Sequence, residues 1–204
     1  GPLTKAALGM APGAGGGADG AEGGAGGGGG GGDIVRTVVG ATSAAIRQWK
    51  GSATFVGIQI AGPTASGGSV GGSNIQGAIA GAVSARLQGE DRRIGLAAAS
   101  GIAAAFAAWQ ASVRVPGLPW YPAFAAVPGP VAPPTPNLPT PLIALQSFSG
   151  HITNSGDIQT RINQAGALPS ARADAAAIVQ QIASQVASQF QIFLATTIVI
   201  NVLG

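Results

Sequence analysis

The amino-acid sequence predicts an α+β fold that is mostly α. Three stretches carry apolar residues at helical spacing, and each is followed by residues that favour strands. This pattern predicts a single domain over residues 33–204, built from three repeated helix–helix–strand units. A Gly-rich N-terminal tether over residues 1–32 and a Pro-rich extended arm over residues 115–156 complete the predicted organisation.

The tether comes first in the chain. Residues 13–32 include fourteen glycines and end in the unbroken run Gly26 to Gly32. Such a segment buries no side chains and loses the most backbone entropy on ordering. We therefore expect a flexible connection that only an outside contact, such as a neighbouring subunit, would hold in place. Before this run, Leu3 to Gly9 is the candidate short helix of the first unit.

The long helix of each unit carries the repeat. Helices are predicted near residues 34–51, 93–112 and 176–196, and alignment at offsets of 60 and 84 gives five columns spaced by four, four, four and three positions. That spacing is one face of an α-helix, and Thr42 is its one polar member. The columns are Ile34/Ile94/Ile178, Val38/Ala98/Ile182, Thr42/Ile102/Val186, Ile46/Phe106/Phe190 and Trp49/Trp109/Phe193. We interpret Trp49, Trp109 and Phe193 as equivalent core anchors.

The remaining elements of the units follow from shorter signals. The three units extend over residues 33–60, 74–118 and 157–204. β-Branched residues after each long helix predict strands at 53–60, 113–118 and 197–203.

Short helices are predicted before the second and third long helices. Asn74 and Asp157 are good N-cap residues followed by apolar residues at helical spacing, so they are the predicted caps. Asp33, Glu90, Asp91 and Asp174 also stand where helices are expected to begin. Small residues such as Gly95 and Gly101 on the middle helix predict close helix packing.

The Pro-rich arm connects the second and third units. Ten prolines lie between Pro116 and Pro141, and Pro at this density is expected to exclude helix interiors and sheet ladders. The arm has no charge besides that of His151 and would expose a long apolar strip to water. Such strips usually mark a contact surface. The candidate interface residues are Trp120, Tyr121, Phe124, Val127, Leu138 and Leu142.

Composition excludes several kinds of site. Cysteine is absent and His151 is the single histidine, which excludes disulfides and thiolate metal sites and leaves no basis for a transition-metal centre. No cofactor is expected either, because the poly-Gly run lacks both a preceding strand and a following Gly-Lys-Ser/Thr. Ten cations against seven anions are spread along the chain, so nucleic acid is not favoured as a partner.

One catalytic pattern occurs in the sequence. Residues 67–71 read Gly-Gly-Ser-Val-Gly, and Ser69, Asp91 and His151 follow the order of some serine hydrolases. The pattern requires a strand that leads into a tight turn and a helix, whereas we predict a Gly/Ser-rich loop here. We interpret His151 as a hydrogen-bonded loop histidine and predict that the protein is not an enzyme.

A membrane-spanning helix is the alternative interpretation of the middle unit. Ile94 to Val113 is a run of twenty uncharged residues flanked by arginines, which is long enough to cross a bilayer. Few of its residues favour hydrocarbon strongly, because the run also includes Gly, Ser and Gln. A helix buried in protein is therefore the favoured interpretation.

The functional hypothesis combines these features. Only 8% of residues are charged, against roughly 25% in an ordinary soluble domain. Sparse charge, small packing residues, an apolar arm and repeated units predict a non-enzymatic structural subunit of a large homomeric assembly, such as a virion, phage-tail, injection-machine, shell or fibre component. Its expected partners are copies of itself and other subunits of the same particle. The alternative is a membrane-associated protein with Ala/Gly-rich helices packed in lipid.

Overall fold

A computed structural model describes residues 6–7, 9–12, 31–121, 135–166 and 173–202. The chain is α+β and mostly α, as predicted. The helices are α1 (Gly31–Ser52), α2 (Ile75–Arg86), α3 (Gly89–Ser112), α4 (Gly150–Thr153), α5 (Ser155–Ala165) and α6 (Ala175–Thr196), with a 3-10 turn at Leu142–Ala144. The strands are β1 (Ala6–Ala7), β2 (Gly9–Pro12), β3 (Thr54–Ala61), β4 (Thr64–Gly71), β5 (Val115–Leu118), β6 (Thr140–Pro141) and β7 (Thr197–Ile200).

The three long helices α1, α3 and α6 form the centre of the fold. They coincide with the predicted helices, and α1 packs against both of the others. All fifteen residues of the aligned columns are at most 5% exposed. Thr42 fits this apolar face because its hydroxyl donates to the carbonyl of Val38 at 2.8 Å, one turn earlier. The helical periodicity therefore identified the buried faces correctly.

The middle helix α3 is packed on several sides. It contacts α1, α2 and α5 along its length. A Cβ built on Gly101 would lie 2.5 Å from the backbone nitrogen of Ile162 in α5, so only glycine allows this approach. A Cβ on Gly95 would lie 2.6 Å from a methyl group of Val83 in α2. The predicted close packing at both glycines is confirmed.

Of the two N-cap residues predicted for the short helices, the structure confirms one. Asn74 caps α2, because its side-chain oxygen accepts from the backbone N–H of Gln76 at 2.9 Å. The predicted cap at Asp157 is wrong. Asn154 caps α5 instead, and its side-chain oxygen accepts from the N–H groups of Gly156 and Asp157 at 2.9 and 3.3 Å. Asp157 therefore lies in the first turn, where a carboxylate favours the helix dipole.

The first sheet has the strand order β1-β3-β4-β5 and is antiparallel throughout. β3 and β4 form a hairpin that turns at residues 62–63. The predicted loop at residues 67–71 is wrong, since these residues lie in β4. Gly67 and Gly68 have φ values of +71° and +75°, so the strand bends at two positions that favour glycine.

The second sheet has the order β2-β7-β6 and joins three parts of the chain that are remote in sequence. Gly9, Met10, Ala11 and Pro12 pair with Ile200, Val199, Ile198 and Thr197 in antiparallel register. The predicted helix at Leu3 to Gly9 is wrong, because Ala6–Ala7 and Gly9–Pro12 are strands. Residues 6–12 thus contribute a strand to each sheet.

The arm includes regular structure that its proline content did not predict. Pro116 lies in β5 and Pro141 in β6, and both strands are outer strands of their sheets. Proline is tolerated there because an outer strand needs no donor on its free side. The expectation that proline excludes a sheet ladder is therefore wrong at these two positions, whereas the strand predicted at residues 113–118 is confirmed as β5. Helix α4 also lies within the range assigned to the arm.

Candidate assembly surface

Three aromatic rings meet at one end of the helical core. The ring centroids of Trp49 and Trp109 are 5.8 Å apart, those of Trp49 and Phe193 are 5.9 Å apart, and those of Trp109 and Phe193 are 5.7 Å apart. The three edge-to-face contacts have geometry typical of stabilising aromatic pairs. Because the rings are buried, the residues predicted as core anchors lie in the interior, where no ligand reaches them.

The two indole N–H groups in this cluster differ in their partners. Nε1 of Trp49 donates to Oε1 of Gln110 at 2.9 Å. Nε1 of Trp109 is buried and has no hydrogen-bond partner among the described residues. Gln110 also lines a groove of about 420 Å³ between the start of α2 and one side of α3. Its lining includes no charged side chain, and its polar groups include the cap residue Asn74 and Gln110, which are already engaged.

The two ends of the arm pack against the chain itself. Trp120, Tyr121 and Leu142 are each at most 3% exposed. The hydroxyl of Tyr121 donates to the carbonyl of Val202 at 3.1 Å, and its backbone N–H donates to Pro63 at 3.0 Å. Burial raises the pKa of the Tyr121 hydroxyl above its ordinary value. These three candidate interface residues are therefore covered by their own chain.

The other candidates in the arm have different positions. Leu138 is 60% exposed, whereas Phe124 and Val127 lie outside the described residues. Further apolar side chains are exposed close to Leu138 in sequence, at Ile143 and Phe148, and Phe148 is 74% exposed. The assignment of the arm to an interface between chains remains a prediction, and Leu138 is the predicted residue that stays available for it.

The outward face of α6 is the least expected surface of the molecule. Its 22 residues include no charged side chain, although ten of them are exposed. Ile192 is 59% exposed on this face, and the other exposed residues are Ala, Gln and Ser. The exposed polar residues are Gln180, Gln181, Ser184, Gln185, Ser188 and Gln191. The sequence analysis did not identify this surface; the signal that could have marked it is the absence of charge over residues 175–196, on the side opposite the apolar columns.

Helix α1 shows the contrast within the same molecule. Its outward side carries the ion pair between Asp33 and Arg36, at 3.4 Å, and also Arg47 and Lys50. Partial burial, together with the charge of Arg47, lowers the pKa of Lys50. Since α1 is charged outside and α6 is not, the absence of charge on α6 is a local property of one surface.

Charged groups elsewhere bind the ends of helices. The guanidinium of Arg92 donates to the carbonyls of Leu87 and Ser84 at 2.9 and 2.7 Å, at the end of α2. Arg114 donates in the same way to Ala111 and Val113 at the end of α3. Both arginines satisfy carbonyls that a helix end leaves free. The guanidinium groups of Arg92 and Arg114 are therefore engaged with backbone carbonyls.

The residues of the hydrolase pattern do not form a nucleophile turn. Ser69 lies inside β4, opposite Val56, and no helix follows it directly. His151 lies in α4 rather than in a loop, and its Nδ1 is 3.6 Å from a carboxylate oxygen of Asp157. Asp157 also forms an ion pair with Arg161 at 3.4 Å. Among the described residues, no group of His, Asp or Glu is arranged to hold a metal ion.

Helix α3 is the one described helix that is long and apolar enough to cross a membrane. Its most apolar window has a mean hydropathy of 1.4, and 56% of that window is buried inside the protein. Helices α1, α2 and α5 surround it. A helix in the core of a soluble domain has the same length and composition, so this helix is weak evidence for a membrane protein.

Comparison with protein-family models, with curated proteins and with solved structures finds no match. The chain's own surface and packing are therefore the basis for a functional assignment. The feature that most sets this surface apart is the uncharged outward face of α6.

Proposed function

We propose that this chain is a non-enzymatic structural subunit of a large homomeric assembly, such as a virion, phage-tail, injection-machine, shell or fibre component. Its partners are copies of itself and further subunits of the same particle. The observation that carries the proposal is the exposed face of α6, which bears Ala, Ser, Gln and Ile192 and no charge.

The chemistry of this face suits contact between proteins. Burying an unpaired ionised group at an interface costs roughly several kcal/mol. The outward side of α6 has no ionised group, so its burial avoids this cost. Ala and Ser lose little side-chain entropy on burial, and small residues let a second helix approach closely. Gln supplies hydrogen bonds that set the register of the contact. The side chains of Leu138, Ile143 and Phe148 are exposed as well and provide further apolar surface for contact with other subunits.

Three repeated units are part of the proposal, because an internal repeat lets one contact type recur around a particle. The first unit has strands at Ala6–Ala7 and Gly9–Pro12 in place of the predicted short helix, so the part that all three share is a long helix followed by a strand. Ser52 and Ser112, which align at the ends of α1 and α3, support it. Each hydroxyl donates to the carbonyl of its unit's Trp, at 3.2 and 2.6 Å, and accepts a backbone N–H of the returning chain, at 2.8 and 2.9 Å. Equivalent units imply equal losses of stability in Ser52→Ala and Ser112→Ala, and unequal losses would count against the repeat.

The second candidate is a membrane-associated protein, which the apolar length of α3 favours. Packing of α3 against α1, α2 and α5 opposes it, because an inserted helix would have to leave these neighbours. The two candidate functions predict different behaviour with and without detergent. An assembly subunit forms particles without detergent, whereas a membrane protein sediments with membranes and is released by detergent.

Charge placed on the face of α6 tests the favoured proposal. The double variant Gln181→Glu/Gln185→Glu adds two like charges to every copy at exposed positions, so it should leave circular dichroism and melting unchanged while lowering the particle mass. Light scattering and negative-stain microscopy without detergent measure that mass. The control is Gln48→Glu on the charged outward side of α1, which should leave assembly intact. Particles of unchanged mass from the double variant would contradict an interface at α6.

A further inference from the structure

The segment that contains β1 and β2 adds one outer strand to each of the two sheets. In the first sheet, Ala6 pairs with Phe55 and Ala7 with Thr54. In the second, Gly9 to Pro12 pair with all four residues of β7. One short peptide therefore supplies an outer strand to each of two sheets, with Leu8 between the two strands.

The pairings cover strand edges that would otherwise be open. The strand orders β1-β3-β4-β5 and β2-β7-β6 place residues 6–12 at the border of both sheets. Without this peptide, β7 would present an unpaired edge of sequence Thr-Ile-Val-Ile, which is strongly β-prone. Open edges of this kind pair readily with another chain. The β7 edge therefore needs an occupant, which makes it a docking site of defined shape.

The connection between residues 6–12 and the domain is long and has few side chains. Residues 13–30 are twelve Gly, four Ala, Asp19 and Glu22. By covalent geometry this stretch spans up to about 60 Å. β2 contacts α1, a helix about 33 Å long at 1.5 Å per residue. Fully extended, the stretch is thus nearly twice as long as α1.

We propose that residues 6–12 of one copy pair with β3 and β7 of a neighbouring copy in the assembly. This inference rests on the proposed function, since it names the contact by which the copies join. The hydrogen bonds are the same whether the peptide comes from its own chain or from the next, so exchange loses no contact. Connection within one chain gives the peptide an effective concentration on the order of millimolar at its own strand edges. Exchange therefore requires that the strand edges of neighbouring copies lie close enough in the particle to compete with this connection.

A pair of cysteines across the β2–β7 ladder distinguishes the two arrangements. The chain has no cysteine, so Met10→Cys/Val199→Cys introduces one defined pair at directly opposed positions. Opposed residues in antiparallel strands have Cα atoms about 4.5–5.5 Å apart, within the range that a disulfide spans. Ala11→Cys/Ile198→Cys is a second pair in the same register, for use if the first variant folds poorly. Met10→Cys/Ser84→Cys is the control, because Ser84 is exposed on α2 and lies outside the proposed interface on α6.

The measurement is the covalent mass of oxidised particles on a non-reducing denaturing gel. We expect covalent dimers and higher multimers for the paired cysteines and single chains for the control. Single chains with an internal disulfide, recovered from intact particles, would overturn exchange and leave the proposed function standing. Particles with no cross-link in either paired variant would overturn it too. A wild-type chain that forms no particles overturns the proposed function, and this inference with it.

Discussion

The indole Nε1 of Trp49 donates a 2.9 Å hydrogen bond to the side-chain oxygen of Gln110, which links the ends of helices α1 and α3. Trp49 is fully buried, so no water replaces this acceptor when it is lost. The amide of Gln110 also lines the groove beside α2. One polar contact therefore fixes the orientation of a ring that touches Phe106, Trp109 and Phe193.

Gln110→Leu should destabilise the fold. The substitution keeps the size of the side chain and leaves the Trp49 N–H buried without an acceptor, which costs about 1–3 kcal/mol. Chemical denaturation, followed by tryptophan fluorescence, measures the free energy of unfolding. Gln48→Leu on the exposed side of α1 is the control and should change stability by about 0.5 kcal/mol or less. Equal effects of the two variants would show that the hydrogen bond contributes nothing.

Gly72→Ala should also act through Trp49. A Cβ at Gly72 would lie 2.5 Å from the indole nitrogen, which Gln110 holds in place, so the ring or the strand end must shift. Overpacking of this kind costs roughly 1–3 kcal/mol. Gly71→Ala is the matched control, since a Cβ there meets nothing within 4 Å. Thermal melting compares the two, and a Gly72→Ala protein as stable as Gly71→Ala would contradict a fixed ring.

Two glycines in long helices should respond to alanine with opposite signs. Gly101→Ala places a Cβ against the backbone of Ile162 and should separate α3 from α5, with a loss of about 1–3 kcal/mol. Gly40→Ala in α1 meets no atom within 4 Å and should stabilise by up to about 1 kcal/mol, because alanine favours helices. Chemical denaturation of both variants decides the matter. A neutral Gly101→Ala would mean that α5 does not depend on this close approach.

Alkaline pH should weaken the contact that Tyr121 makes with Val202. Burial raises the pKa of this hydroxyl, so the folded chain holds the proton more tightly than the unfolded chain does. The resulting stability is complete below the unfolded pKa of about 10 and is lost as pH rises through the folded value. Wild type should therefore lose more stability above about pH 10 than Tyr121→Phe does. Lys50, whose lowered pKa acts in the opposite direction, is present in both proteins and cancels in the comparison.

Parallel curves for the two proteins across this pH range would contradict a buried, hydrogen-bonded Tyr121. At neutral pH, Tyr121→Phe should be less stable than wild type by roughly 0.5–1.5 kcal/mol, since it lacks one hydrogen bond. Urea titrations at neutral and at alkaline pH provide both comparisons.

The sequence predicted the parts of the fold that depend on local signals. The columns that end in Trp49, Trp109 and Phe193 follow from helical period alone, and their burial agrees with it. The N-cap at Asn74 is local in the same sense. Asn154 was missed as the cap of α5 because Asp157, three residues later, is an equally good cap by residue type. Only the backbone conformation decides which side-chain oxygen reaches the free N–H groups at the start of the helix.

Pairing between distant segments was not predictable from residue patterns. Gly9–Pro12 has no alternation typical of a strand, yet it pairs with β7 because the edge of β7 is available. Likewise, the hairpin strand β4 is rich in Gly and Ser, and its composition is typical of a loop. The apolar column of α6 predicted its inward face correctly, whereas its uncharged outward face was missed because the sequence analysis considered charge over the whole chain and not along this helix.

The second sheet also sets the order in which the chain can fold. Its strands β2 and β7 lie near opposite ends of the described chain, so closing it carries a high entropic cost and places it late in folding. During synthesis at about 5–20 residues per second, residues 9–12 wait on the order of 10 to 40 s before β7 of their own chain exists. Helices α1 and α3 have left the ribosome by then. Amide protons in this sheet should consequently be the last to gain protection in a refolding experiment and the first to lose it when the native protein opens.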